Sequence, residues 1–178
     1  MAGRSRTNKL VDFEASVKIS GKYEILDDVT SFKLPGVEYG EGEISGAGLA
    51  GTLNIPDVFN IDAMEFTITS RALRTQYAKV ITPSSAEFRI AWAMDKISSD
   101  SAEDYDRYMA IVKGKASKLP EISGEKGSPL DLETAFSVWY YKLTVNGATL
   151  FEFDILNGVV VIDGVNYSAK LKTALGSA

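Results

Sequence analysis

The sequence predicts a mainly β protein, a sandwich or barrel of strands with one short α-helix. Three observations carry that expectation. Apolar residues recur with a period of two along most of the chain, Asn-Gly and Asp-Gly pairs punctuate the runs, and helical periodicity is thin. At 178 residues the chain reads as a single domain, 1–178, long enough to bury a substantial core.

In chain order, "MAGRSRTNKL" is basic but leads into "VDFEASVKI" rather than an apolar run, so it is no secretory signal, and residues 1–12 read as an N-terminal arm. Alternation predicts strands over 13–19 and 23–32. A Gly-rich stretch over 35–54 reads as a long loop. In "AMEFTITSRAL", within a strand over 63–73, Met64, Phe66 and Ile68 share the face that enters the core, and Glu65, Thr67, Thr69 and Arg71 share the polar face. "TSRALRTQYAKVI" places Leu73, Tyr77 and Val80 at i, i+4, i+7, enough for about two helical turns before Pro83. Strands follow over 87–93 and 108–119, separated by a charged loop at 95–106. Its "SAEDYDRYM" has one short helical period after a Ser101 N-cap. An acidic, Gly-containing loop covers 120–134. Loops of this length in a compact domain usually serve a function or contact a partner.

The C-terminal third predicts strands over 135–145, 149–155 and 159–162, with a short last element at 165–168 after the Asp163-Gly164 turn. Asn146-Gly147 is the strongest hairpin signal, because both central positions of the turn need φ > 0. That turn predicts the pairs Val145–Ala148, Leu143–Leu150 and Tyr141–Glu152 on one face, and Thr144–Thr149, Lys142–Phe151 and Tyr140–Phe153 on the other. Large apolar residues then occupy both faces, so a second cover is needed. Leu143, Val145 and Leu150 are expected in the core. Tyr140, Phe151 and Phe153 are expected to be covered by the helix near 73–80 or by a neighbouring molecule.

Composition excludes several functions. Hydrophobic residues make up 45% and charged residues 24%, and the net charge of −5 argues against gripping nucleic acid. With neither cysteine nor histidine, disulfides, thiolate chemistry and Ser/His/Asp or Cys/His catalysis are impossible. No run of eighteen apolar residues occurs. "GAGLAG", Gly46 to Gly51, matches G-x-G-x-x-G, but Pro56 opposes the helix that would have to follow, so no cofactor is expected. Glu152 and Asp154 lie on one strand face about 7 Å apart, a spacing that suits an acid–base pair. Such residues between Phe151, Phe153 and Ile155 are more often a polar strand face. Asp154, Asn157 and Asp163 do not match an EF-hand, and no metal is expected. Asn166 in "NYS" resembles a glycosylation acceptor, which means nothing without secretion. Trp139, Tyr140, Tyr141, Phe151 and Phe153 could form a carbohydrate platform, although aromatic clusters on adjacent strands are more often core or interface.

"YYKLTVNGATLFEFDILNGVVVIDGVNYSA" resembles the C-terminal signature of major tail tube proteins of contractile-tailed bacteriophages and related phage-tail-like bacteriocins. The matching positions are Asn146, Gly147, Leu150, Glu152, Asp154, Asn157 and Val161 to Val165. "GEISGAGLAG", "AMEFTI" and "VKGKASKLPEISGEKGSPLDLETAFSVWYYKLTV" resemble the same family's Gly-rich loop, following strand and strand–loop–strand module. The resemblance spans roughly residues 29–169. It departs over the first thirty residues and in the charged segment 96–107. It implies a tail-tube-like fold and a structural, non-enzymatic subunit of a virion tail or bacteriocin particle. Such a subunit forms hexameric rings with joined sheets, stacked around a lumen for DNA or ions, and is assembled in the bacterial cytoplasm. Implied partners are other copies of the chain, the tail sheath, baseplate and tail terminator proteins, with DNA passing unbound and no stable membrane association.

On that reading the loop residues Gly46, Gly48, Leu49 and Gly51 reach a neighbouring subunit. Tyr140, Asn146, Gly147, Phe151 and Phe153 form hairpin or interface positions, and Glu65, Thr67, Thr69 and Arg71 face the lumen. An acidic wall would repel DNA in transit. Two other readings stand beside it. A soluble β-sandwich binding module would use the aromatic strand face and leave an exposed apolar patch. A carboxylate hydrolase would need a carboxyl with a raised pKa.

Overall fold

A computed structural model describes residues 6–176 apart from 47, 49, 83 and 98–102. Among the described residues, twelve strands and two helices follow in order: β1 (Arg6–Ile19), β2 (Lys22–Ile25), β3 (Val29–Lys33), β4 (Tyr39–Ile44), β5 (Leu53–Ile61), β6 (Met64–Ser70), α1 (Thr75–Val80), β7 (Ala86–Ile97), β8 (Glu103–Lys118), β9 (Leu132–Val145), β10 (Ala148–Asp154), β11 (Val159–Ile162), β12 (Val165–Asn166) and α2 (Tyr167–Ala174). Ten strands make one antiparallel sheet, with β12-β11-β10-β9-β8-β7-β1-β2 as its main path and β6 joining β3 to β9. It does not close into a barrel. β4 and β5 form a separate two-stranded ribbon.

The large sheet folds over on itself. β6 and β7 are three strand spacings apart through β9 and β8, about 14 Å if the sheet were flat. Yet the Phe66 and Phe88 ring centroids are 5.1 Å apart, and Phe88 and Phe136 are 4.7 Å apart. The core sits in that fold, where Ala15, Val17, Ile68, Ile90 and Val112 surround the three rings. Met64, Phe66 and Ile68 are buried as the alternation predicts, while Glu65 is exposed and Thr67 and Thr69 are half-buried.

Bulges make the fold-over compatible with one core. In β9, Lys113 faces Tyr140 and Gly114 faces Val138, leaving Trp139 as an extra residue. Before it, Thr134, Phe136 and Val138 point to the core. After it, Tyr141 does. A single inserted residue thus reverses the parity and keeps the strand's core side constant.

β10 carries a second bulge at Leu150, which corrects the expected register. Val145–Ala148 and Thr144–Thr149 pair as predicted. Beyond the bulge the partners are Leu143–Phe151, Lys142–Glu152, Tyr141–Phe153 and Tyr140–Asp154. The hairpin therefore does separate apolar from polar. Tyr141, Phe151 and Phe153 contact one another on the side of Leu143, and Tyr140, Lys142 and Glu152 form the polar face. Leu150, expected in the core, is 41% exposed, whereas Phe153 is 2% exposed. The aromatic patch that a soluble binding module would use lies largely in the protein's own interior.

Several boundaries also change. Residues 6–12, expected as an arm, are the first half of β1, paired with β7. The predicted strand over 23–32 breaks into β2 and β3 at Asp28, whose φ is 65°. Residues 95–97 and 103–106, expected in a loop, extend β7 and β8 through pairs from Asp95–Tyr105 to Ile97–Glu103. Ser101 lies outside the described residues. Helix α1 starts after Leu73 and buries Tyr77 and Val80. Helix α2 was not expected. Asn166 caps it by accepting from the Ala169 N–H at 2.9 Å, and buried Ser168 Oγ accepts the Val160 N–H at 2.8 Å.

Candidate assembly surfaces

The stretch over 35–54 is largely an arm rather than an irregular loop. Ile44 pairs with Leu53 and Gly42 with Ile55, so Ile44, Leu53 and Ile55 share one face of the β4–β5 ribbon. Glu41, Glu43, Asn54 and Pro56 share the other. The apolar face is open: Ile44 is 48%, Leu53 52% and Ile55 44% exposed. At the arm's base, the Asp62 N–H donates to the Glu38 carbonyl, and the Tyr39 ring meets Phe153 edge-on. Tyr39 thus supplies part of the hairpin's cover, a role expected of α1 or a neighbour. At the tip Gly48 has φ +97°, which a side chain would strain, while Gly46 and Gly51 would have room for one. Leu49 lies outside the described residues.

The second surface is the outer side of β6 and its neighbours. Glu65 pairs with Ser137, Thr67 with Ala135 and Thr69 with Glu133. Lys33 lies beside Thr67 and Lys115 beside Ser137. This face is small and polar, with both signs of charge; Arg71 follows at its end. The net charge of −5 therefore does not translate into an acidic wall here.

The hairpin tip is fixed by β8. Asn146 and Gly147 have φ 49° and 85°, the mirror-image turn that the dipeptide predicts. Asn146 Nδ2 donates to Asp106 at 2.8 Å, and its Oδ1 accepts the Arg107 N–H at 2.8 Å. That bond and Lys96 hold the Asp106 carboxyl below its usual range, although desolvation opposes them.

A charged face covers β1, β7, β8 and β9 opposite the core. Glu87 accepts from the Tyr23 hydroxyl, from Lys18 at 3.2 Å, and lies 3.5 Å from Lys113. Burial would raise the Glu87 pKa, but these partners together lower it. Burial and the same bond push Tyr23 up to about 12. Glu152 is held by Lys142 at 2.9 Å and Tyr140 at 3.0 Å. Asp154 accepts from both the backbone and side chain of Asn157. The displaced carboxyls, Glu87 and Asp106, are both lowered, opposite to what a general acid requires. Glu152 and Asp154 serve a strand face and a turn.

Open ribbon, polar outer sheet and carboxylates tied into ion pairs describe a molecule built for contact. The profile of the family described as phage tail tube protein FII matches residues 9–176. The chain belongs to this tail tube family. It is a structural subunit of a phage-type tail, and the family is not one of enzymes. A similar solved chain comes from the cryo-EM structure of the anti-feeding prophage (AFP) baseplate, 6-fold symmetrised. The likeness has 9% identity and a TM-score of 0.41, over 76% of this chain and 92% of that one. No curated protein matches in sequence. Within the tail tube subunit, the sequence reading missed the β4–β5 pairing, although Ile44, Leu53 and Ile55 alternate with polar residues.

Proposed function

We propose that this tail tube subunit assembles through heterologous contacts into closed rings, six copies as the family resemblance implies, stacked into a tube. The observation that carries this reading is the open apolar face of the β4–β5 arm. A two-stranded ribbon is marginal by itself in water, and three large aliphatic side chains on one exposed face call for a protein partner. An adjacent copy is the partner a polymerising subunit always has at hand. Gly46, Gly48, Leu49 and Gly51 then form the reach of the arm, and the outer face bearing Glu65, Thr67, Thr69 and Arg71 lines the lumen. Its small polar side chains suit passage of DNA or ions without adhesion. The tube acts within a virion tail or a tail-like bacteriocin, beside sheath, baseplate and terminator proteins, after assembly in the host cytoplasm.

The test is to replace Ile44, Leu53 and Ile55 together by serine and to examine purified protein by negative-stain microscopy. The parent chain is expected to form rings or tubes, and the substituted chain to remain a folded monomer. Tubes of normal appearance from the substituted chain would refute the arm's role.

A further inference from the structure

We propose that Asn157 is a site of spontaneous covalent modification, conversion to aspartate and isoaspartate, and that the fold shields Asn146 from the same reaction. Asparagine is a thermolabile residue, and the residue after it governs the rate. Asn146 and Asn157 precede glycine, whereas the other four asparagines precede Lys9, Ile55, Ile61 and Tyr167. Glycine has no Cβ, so its nitrogen attacks without side-chain hindrance. At Asn157 the Gly158 nitrogen, its proton lost to hydroxide, attacks Cγ. The N–Cγ bond forms, the Cγ–Nδ2 bond breaks and ammonia leaves, closing a five-membered succinimide ring. Water then opens the ring. Opening at one carbonyl gives aspartate, and at the other isoaspartate, whose main chain runs through the side-chain carbons. One water is consumed and one ammonia released, with no oxidant or reductant.

Both asparagines are exposed, so exposure does not separate them. Their bonding does. Asn146 and Gly147 have φ 49° and 85°, and in such a mirror-image turn the glycine nitrogen points away from the asparagine Cβ. The Asn146 side chain is also tied to β8 at both ends, through Asp106 and the Arg107 N–H, each at 2.8 Å. Its own N–H donates to the Arg107 carbonyl at 2.8 Å. Ring closure at 146 therefore requires the hairpin tip to leave β8.

Asn157 lies outside the positive-φ region. Its N–H and Nδ2 both donate to one carboxylate, Asp154, at 3.0 and 2.7 Å, and among the described residues no bond ties its Oδ1. The attacking Gly158 N–H makes a long bond, 3.4 Å, to the Ile155 carbonyl. All these contacts fall within residues 154–158, so the turn rearranges while β10 and β11 stay paired. Conversion replaces the amide donor facing Asp154 by a second carboxylate, turning an attraction into a repulsion. The turn follows Phe153, whose ring the Tyr39 ring of the arm meets. Ageing thus loosens the molecule beside the base of its arm.

Both sites fall on one tryptic peptide, 143–170, which provides an internal comparison. The purified full chain is incubated in mildly alkaline buffer, native and in urea. The peptide is then fragmented by electron transfer to locate the gain of one mass unit and the isoaspartate. In urea the two sites are expected to convert at similar rates. In the native chain Asn157 is expected to keep a rate within a few-fold of that in urea, and Asn146 to convert about tenfold or more slower, as a required local opening dictates. Asp106→Ala, which removes one tie to β8, is expected to speed conversion at 146 several-fold and leave 157 unchanged. Native conversion at 146 as fast as at 157 overturns the shielding, and an unchanged rate at 146 in Asp106→Ala overturns the part assigned to β8. An Asn157 that converts in urea but not in the native chain, or in neither, overturns the site.

Discussion

Thr134 sits in the core with its hydroxyl unbonded. It is fully buried, pairs with Ile68, and its Oγ1 has no hydrogen-bond partner. A buried unpaired hydroxyl keeps its desolvation cost with no return, whereas valine preserves the shape. Thr134→Val is therefore expected to stabilise the monomer by about 1 kcal/mol in urea unfolding. Gly114 is the reverse case. A Cβ there would meet the Ser137 carbonyl oxygen at 2.6 Å, and that backbone is locked beside the Trp139 bulge. Gly114→Ala is expected to cost about 1–3 kcal/mol, the range of an overpacked core, and an unchanged midpoint would refute it. Glu87 supplies a pH dependence. Its folded pKa lies below the 4.5 of the free carboxyl, so the stabilisation is complete above that value and fades as pH falls through the folded one. Glu87→Gln should flatten the acid side of the stability profile, measured by thermal melts between pH 3 and 7. At this scale the sequence read well where chemistry is local. The φ > 0 demand of Asn146-Gly147 and the alternation around Phe66 need no tertiary knowledge. The glycine at 114 is explained only by a bulge on another strand.

Among the elements, bulges decided what was legible. The alternation rule holds on each side of Trp139 and Leu150, but one inserted residue shifts every later position to the opposite parity. Hence "VWYYKL" and "TLFEF" read as apolar on both faces while the folded hairpin is not. The consequence for Phe151 is specific: its ring packs against Tyr141 and Phe153 of its own chain. Phe151→Ser is expected to destabilise the isolated monomer by about 2 kcal/mol, as burial of a large side chain implies. A normal monomer melt with lost assembly would instead assign that ring to a neighbour. Helix α2 escaped notice because its signals are brief: an Asn166 cap, Lys172 near its end and Gly176 at φ 70° just after it. Strands β4 and β5 were hidden by glycine content, which suggests loop unless the alternating aliphatics are weighed against it.

For the whole molecule, turn signals and alternation conveyed a β domain, and the resemblance of the last forty residues to a known C-terminal signature conveyed the tail tube type. It did not convey the fold-over, because pairing of β6 and β10 along different halves of one side of β9 is a long-range fact. The arm has a consequence for timing. On the ring assembly proposed above, the ribbon's apolar face gains its burial free energy at the moment of docking, and a lone subunit gains none of it. Two free subunits meeting offer each other one incomplete contact, whereas a finished ring presents many at once. Growth from an existing end should therefore outrun spontaneous initiation. Light scattering of the purified chain is expected to show a lag that shortens when sheared tube fragments are added; a trace without lag and indifferent to such seeds would contradict this. Tail construction would then begin where a template stands, and the pool of soluble subunits would stay unpolymerised until one does.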